Sequence, residues 1–562
     1  MGPEADRPNS AAVVGANHRV PTALWVAAGA VGLLASLPVI YLALRTASAG
    51  EESWDLLFRA RTAQILGRSA LLVITVSVCS VVIAVPTAWL TLRTDLPFRR
   101  VLSVAAVLPL VIPSYVIAMV AVEVLGPRGM LQRALEPIGV DRLPSIYGLW
   151  GATLTVVLVT YPYVLLTVRS ALRRMDPALE EAARSMSYGA VRAFVRVTLP
   201  MLRPAIAAGV LLAALYALSE FGAVSLLRYE TFTSAIYVQY GSAFDRTVAA
   251  SLAMVLVVVA IALLAGEDFT RGKAAYHRSS AGAIRPARSA ELGAWRWPAF
   301  VFVMLPVVAG LLVPVAILLH WLARGIGAGQ ELTSLWAQLG NSLLVALLAA
   351  IATTTAAVPV ALLAVRYRSA YSRTVERVTH IGFGLPGIVV AISLVFFGVN
   401  IAFPLYQTTA LLVFAYGVLF LPAAVGALTT SLMQVSPHTE EAALALGKTR
   451  LRALYAVTLP LVAPGLLAGA TMVFLLAMKE LPATLILSPI GFQTLATSIW
   501  SSASESKFTT AAAPALLVIL AAGIPTAYLV LRGSARSDTS AIYAPTEAKG
   551  GDARINSAVE RA

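Results

Sequence analysis

Apolar residues in this chain gather in runs too long for the interior of a soluble fold. In lipid every backbone amide must be paired within its own segment, so crossing about 30 Å of hydrocarbon takes about 20 predominantly apolar residues in a helix. Runs of that length fall at 22–44, 69–92, 101–125, 147–168, 204–227, 247–266, 298–322, 342–365, 378–401, 408–430, 463–487 and 509–531. The pattern predicts twelve spanning helices and an all-α integral membrane protein. The first run follows a polar stretch and has no small-residue cleavage site, so it is expected to be a retained span rather than a signal peptide.

Composition supports this. Hydrophobic residues make up 59% of the 562 residues and charged ones only 12%, with a mean hydropathy of +0.81. The net charge of +14 could point to nucleic acid in a soluble protein, but in a membrane protein basic residues collect in cytoplasmic loops. With both termini cytoplasmic, most of the 42 Lys and Arg residues lie inside; the opposite orientation would put most of them outside. No nucleic-acid partner is therefore expected. The single cysteine, Cys79, excludes an intrachain disulfide framework and a cysteine metal cluster. His320 and His380 sit at span ends and read as interfacial residues rather than metal ligands, so no metal site is expected.

The chain also repeats itself. "RSALLVITVSVCSVVIAVPTAWLTLR" from Arg68 resembles "NSLLVALLAAIATTTAAVPVALLAVR" from Asn341, pairing Ser69 with Ser342, Pro86 with Pro359 and Arg93 with Arg366, all at one constant offset. Further on, Pro162 pairs with Pro422, Pro177 with Pro437, Glu181 with Glu441, Pro200 with Pro460, Pro204 with Pro464 and Glu220 with Glu480, all at a second, shorter offset. The second half has thus lost a short segment between its third and fourth spans. Six spans per half is an even number, so the halves point the same way across the membrane. The domains read as an N-terminal cytoplasmic tail (1–21), a first half (22–266), a cytoplasmic linker (267–297), a second half (298–532) and a C-terminal cytoplasmic tail (533–562).

Between the fourth and fifth spans of each half lies a polar segment with Glu-Glu-Ala-Ala, a small residue six positions after the second Glu, and a closing Thr-Leu-Pro. In the second copy the small residue begins Gly447-Lys448-Thr449, the ending of a phosphate-binding loop. Such a loop needs a Gly five residues earlier, at the end of a strand, and that position is Ala442. Ser436 as N-cap, Pro437 in the first turn and the acidic residues after it specify a helix start instead. The first copy has Asp176 and Pro177 in the same roles, and Ser187 where Gly447 stands. The pattern predicts a helix, turn and helix shaped to enter a partner's groove.

"EEAARSMSYGAVRAFVRVTLPMLRPAI" and "EEAALALGKTRLRALYAVTLPLVAPGL" resemble the two EAA loops of type I ABC importer permeases, the binding-protein-dependent transport family. Glu440, Glu441, Ala442, Ala443, Gly447, Leu459 and Pro460 satisfy that motif. Glu180, Glu181, Ala182, Ala183, Leu199 and Pro200 satisfy it in the first copy except at Ser187, with Gly189 two residues later as the expected break. The resemblance implies a permease of two parallel six-helix repeats in a bacterial inner membrane. Each loop would couple to one of two copies of a separate ATPase, and an extracytoplasmic solute-binding protein would deliver the cargo. ATP and Mg would be bound by the ATPase, with no cofactor and no catalytic residue in this chain. "YPYVLL", "SEFGAVSLL", "TFTSAIY", "KELPATLIL" and "GFQTLATSIW" make the fused form most similar to ferric iron permeases, with fused thiamine permeases as the alternative. A secondary transporter also remains open, although it has no reason to duplicate a docking loop.

Glu220 and Glu480 hold equivalent positions well inside their predicted spans, with Lys479 beside Glu480. Charge in a bilayer is expensive and usually faces a cavity or a partner. Either the two acids line the translocation path, or Lys479 neutralises one and the group holds the halves together.

Overall fold

The computed structural model describes residues 21–48, 58–176, 178–186, 188–242, 247–271 and 290–542. The tails at 1–20 and 543–562 and the linker residues 272–289 lie outside these. The first half contains α1 (Thr22–Ala47), α2 (Ala60–Arg93), α3 (Ser114–Leu125), α4 (Leu149–Arg174), α5 (Ala178–Ser185), α6 (Arg203–Ser219), α7 (Gly222–Leu226), α8 (Phe232–Ser242) and α9 (Thr247–Arg271). The second contains α10 (Val313–Gly327), α11 (Thr333–Arg366), α12 (Gly387–Asn400), α13 (Thr409–Met433), α14 (Pro437–Ala445), α15 (Leu459–Met478), α16 (Pro482–Leu487), α17 (Leu495–Ser504) and α18 (Phe508–Ile542). Among the described residues the only extended pairing is an isolated bridge between Thr94 and Ala290.

Among the described residues ten helices are long and apolar enough to cross a membrane. The pair Ala190–Met201 and Arg203–Ser219, bent by 70°, makes an eleventh, and Gly387–Asn400 is a shorter apolar helix. All twelve predicted runs are helical, but four are not continuous. The runs at 101–125 and 378–401 each break before a proline, Pro113 or Pro386, which are paired at the first repeat offset and share φ −60°. The runs at 204–227 and 463–487 each break at a glutamate. Repeat symmetry thus extends to the interruptions.

Proline explains much of this local geometry. A ring inside a helix removes one N–H and crowds the carbonyl four residues earlier. Widened π turns at Phe194–Thr198 and Leu454–Thr458 end two residues before Pro200 and Pro460, and they relieve that crowding.

Packing divides the described residues into two compact units. One comprises those of Met1–Leu37, Ala349–Phe383 and Tyr416–Val473; the other those of Pro38–Leu348, Gly384–Ala415 and Phe474–Ala562. These units do not coincide with the sequence halves. In the larger unit α2, α4 and α6 pack together, with Tyr161 fully buried and its hydroxyl donating to the Ala106 carbonyl at 2.7 Å. Gly209 lets α6 approach α4 so closely that a Cβ there would lie 2.7 Å from Val164 Cα. In the smaller unit Gly469, its partner at the second repeat offset, packs against Ala424 in the same way. Small residues at such crossings are how membrane helices gain close packing without a hydrophobic driving force.

Candidate functional site

Both loops hold their first glutamate inward. In the first, Glu180 is buried (8% exposed) and accepts from Thr198 Oγ1 at 3.2 Å. Thr198 is the threonine of Thr-Leu-Pro; Leu199 and Pro200 follow it directly in a short helix, Leu199–Met201. Glu181 and Ala182 belong to α5, where Ala182 is exposed and Ala183 buried. Ser187 lies outside the described residues.

In the second loop Glu440 accepts from Thr458 Oγ1 at 3.1 Å and from Arg366 Nε and Nη2 at 3.2 and 3.0 Å. Arg366 also donates to the Val435 carbonyl at 3.1 Å, as Arg93 does to Met175 at 3.4 Å. Both contacts obey the repeat. By contrast the Glu441 side chain is 60% exposed and touches only His438, at 3.0 Å, among the contacts described. Ala442 is exposed and Ala443 buried, and Leu459 and Pro460 follow the π turn as in the first copy. Ser436 occupies the N-cap position, though its hydroxyl closes no cap bond.

Gly447 has φ +81° and caps α14. Its N–H donates to the Leu444 carbonyl and that of Lys448 to Ala443, which closes the helix with the left-handed residue that glycine adopts at least cost. In the first loop Tyr188 N–H reaches Ala183 in the equivalent bond. Gly189, expected to supply the break, instead has φ −62° and ψ 158°, a conformation open to any residue, at the start of a short helix. The Gly-Lys-Thr sequence lies in the turn between α14 and a short helix that starts at Arg450, where Thr449 Oγ1 accepts from the Arg452 N–H; a helix rather than a strand leads into it, and Ala442 stands where a phosphate loop needs its first Gly. On the outer surface of the turns, Met186 and Leu446, paired by the repeat, are 73% and 83% exposed.

The paired acids lie in the larger unit, at the breaks after α6 and α15. Glu220 is the C-cap of α6, not an internal residue of a span. Its Oε1 accepts from Ser114 Oγ and from Ala223 N–H, both at 2.9 Å, so it caps α7. Glu480 Oε1 accepts from Ala483 N–H at 3.2 Å and caps α16. Gly387 stands where Ser114 does in the first half, and a Cβ there would collide with the Glu480 carboxylate. Lys479 Nζ donates to the Leu110 carbonyl at 3.2 Å rather than pairing with Glu480. This places a lysine of the second half on the turn that precedes α3 in the first.

Sequence reasoning missed Ser114, Gly387 and Leu110, which have no local mark. The pairing of Pro113 with Pro386 at the first repeat offset was the available signal. It also missed that the first Glu of each loop is the one held inward.

Two repeats, each with a Glu-Glu-Ala-Ala loop between its fourth and fifth spans and a fifth span that breaks at a glutamate, have the pattern of a membrane permease fused from two halves. Residues 80–266 and 354–531 both match the family described as binding-protein-dependent transport system inner membrane component. The chain belongs to that family and is a multi-pass ABC importer permease with two copies of its membrane unit fused. It is 33% identical over 500 residues to "Fe(3+)-transport system permease protein FbpB 2" of Haemophilus influenzae, covering 88% of this chain and 95% of that protein. It is 23% identical over 402 residues to "Ferric transport system permease protein FbpB" of Actinobacillus pleuropneumoniae, covering 68% of this chain and 58% of that one. The molybdenum transport permease ModB of Escherichia coli K12 is 34% identical over 193 residues, 33% of this chain and 82% of its own length.

Proposed function

We propose that this chain imports ferric iron, driven by a separate pair of ATPase subunits that bind ATP and Mg. For the cargo, the supporting observation is the similarity along nearly the whole chain to a permease named for Fe(3+) transport. For coupling, it is the geometry of the second loop: Glu440 held inward by Arg366 and Thr458, leaving Glu441 and Leu446 facing outward. A rigid helix with an exposed acid and an exposed apolar knob fits a groove with a cation and an apolar pocket.

On this reading the ATPase dimer closes on ATP, both loops move with it, and the halves rock to admit cargo from a solute-binding protein; hydrolysis reverses the motion. The permease hydrolyses nothing itself. Glu220, Lys479 and Glu480 border the path at the breaks, where their caps hold α7 and α16 in place. Both termini are cytoplasmic. Deleting the gene should abolish uptake of radiolabelled ferric iron supplied on its binding protein and leave thiamine uptake intact; unchanged iron uptake would end the iron reading.

A further inference from the structure

A cavity of about 770 Å³ opens beside α7, the short helix that Glu220 caps. Its wall is built from the start of α2, from α7 and the turn after it, from α8 and the start of α9, with Trp500 of α17. α2 begins at this cavity and runs 34 residues to Arg93, which contacts Met175 beside the first loop. The cavity therefore lies at the opposite membrane face from that loop.

Arg59, Arg61 and Arg228 line it, with Glu230 as the single acid among the lining residues. Glu230 is already held by Arg61 at 3.0 Å and Arg68 at 3.1 Å. The net sign of the mouth is positive. Arg228 has φ +53° and stacks 4.9 Å from the Tyr147 ring, a fixed position for a guanidinium. Deeper in, Tyr237 and Trp500 pack on Phe221 at 4.8 and 5.0 Å, and Phe221 adjoins Glu220. The Ser225 hydroxyl is buried in this wall without a hydrogen-bond partner.

The repeat is its own control. At the equivalent positions of Arg59, Arg61 and Arg68 the second half has Leu332, Ser334 and Asn341, and its turn between α16 and α17, longer than the one that carries Arg228 and Glu230, has neither a basic nor an acidic residue. That half still holds its matching elements together: Ser342 Oγ accepts from Leu495 N–H at 2.8 Å, as Ser69 Oγ does from Phe232 N–H at 3.0 Å. The fold does not need these cations.

We infer that this cavity binds a small oxyanion, a carboxylate or phosphate, at the mouth of the path. Guanidinium groups match such anions in planar, paired hydrogen bonds, and a cleft of one sign concentrates the field that attracts them. A bare trivalent cation is repelled by the same groups. Resting on the ferric reading above, the oxyanion is the one that keeps ferric iron in solution, and cargo enters as its complex. A lipid headgroup phosphate shares this chemistry, and the experiment separates the two.

The full chain in nanodiscs of zwitterionic lipid is dialysed against radiolabelled inorganic phosphate, with citrate as competitor. Saturable binding is expected, weaker in high salt. It should fall about tenfold in Arg59→Gln and Arg228→Gln and recover only in part in Arg228→Lys, which restores the charge but not the paired hydrogen bonds. Absence of saturable binding, or equal binding by the Gln variants, overturns the proposal. If phosphatidylglycerol in the disc displaces the phosphate, the occupant is a headgroup and the cargo assignment falls. If the variants lose only capture of the binding protein and keep phosphate affinity, the cavity is a protein-docking face and the proposal again fails. Ferric uptake is measured separately, so failure of the iron reading leaves the phosphate result intact.

Discussion

Glu440 and Glu441 are neighbours with opposite surroundings, and substitution should separate them. Glu440→Ala leaves Arg366, whose side chain is 12% exposed, without its carboxylate, at a cost of about 1–3 kcal/mol. That variant should show a lower thermal midpoint and a poorer detergent-extracted yield. Glu441→Ala removes an exposed acid, so yield should hold while transport and co-purification of the ATPase are lost. Gly447→Val must force a β-branched residue to φ +81°, at about 1–3 kcal/mol. Since Ser187 already replaces the glycine in the first loop, a bulky residue there should be milder; equal loss of ATPase from both would sink the asymmetry. For the intramembrane acids, Glu220→Gln and Glu480→Gln keep an oxygen for the Ala223 and Ala483 amides, so yield should persist. If both acids border one path, as proposed, transport should fall in each and the double change should cost less than the sum. Normal transport in Lys479→Met with Glu480→Gln would leave Glu480 a scaffold residue.

At the scale of elements, the same devices recur at the repeat offsets: a proline before α3 and α12, a π turn before each Leu-Pro, a glycine where α6 meets α4 and α15 meets α13. Each solves a backbone problem that any sequence of this topology meets. Gly209→Val should be destabilising by about 1–3 kcal/mol through overpacking against Val164, seen as a lower midpoint in detergent. Gly67, with no atom within 4 Å of a Cβ, should accept Ala with little change.

For the whole molecule, the prediction concerns orientation. Green fluorescent protein fused at the C-terminus should fluoresce, while alkaline phosphatase inserted in the turn at Phe403–Leu405 should be active; inactivity there would invert the assignment of both faces. The compact units cut through α1, α11, α13 and α15, so the unit that packs together is not the unit that was duplicated.

Hydrophobic run length, proline and acid spacing, and charge bias are properties of short stretches, and from them the sequence alone determined an all-α membrane protein of two fused repeats with a loop in each. Solvation and backbone sterics write those features locally. What only tertiary structure decided depends on residues far apart in the chain. Glu440 faces inward because Arg366, from the end of α11, meets it, while nothing local distinguishes it from Glu441. The span at 204–227 breaks at Glu220 because Ser114 and the Ala223 amide hold the carboxylate there. The basic cavity gathers its arginines only once α2 is laid beside the turn after α7, since their spacing along the chain has no period. Local physics sets which elements form, and the long-range contacts decide which of two similar residues each element turns inward.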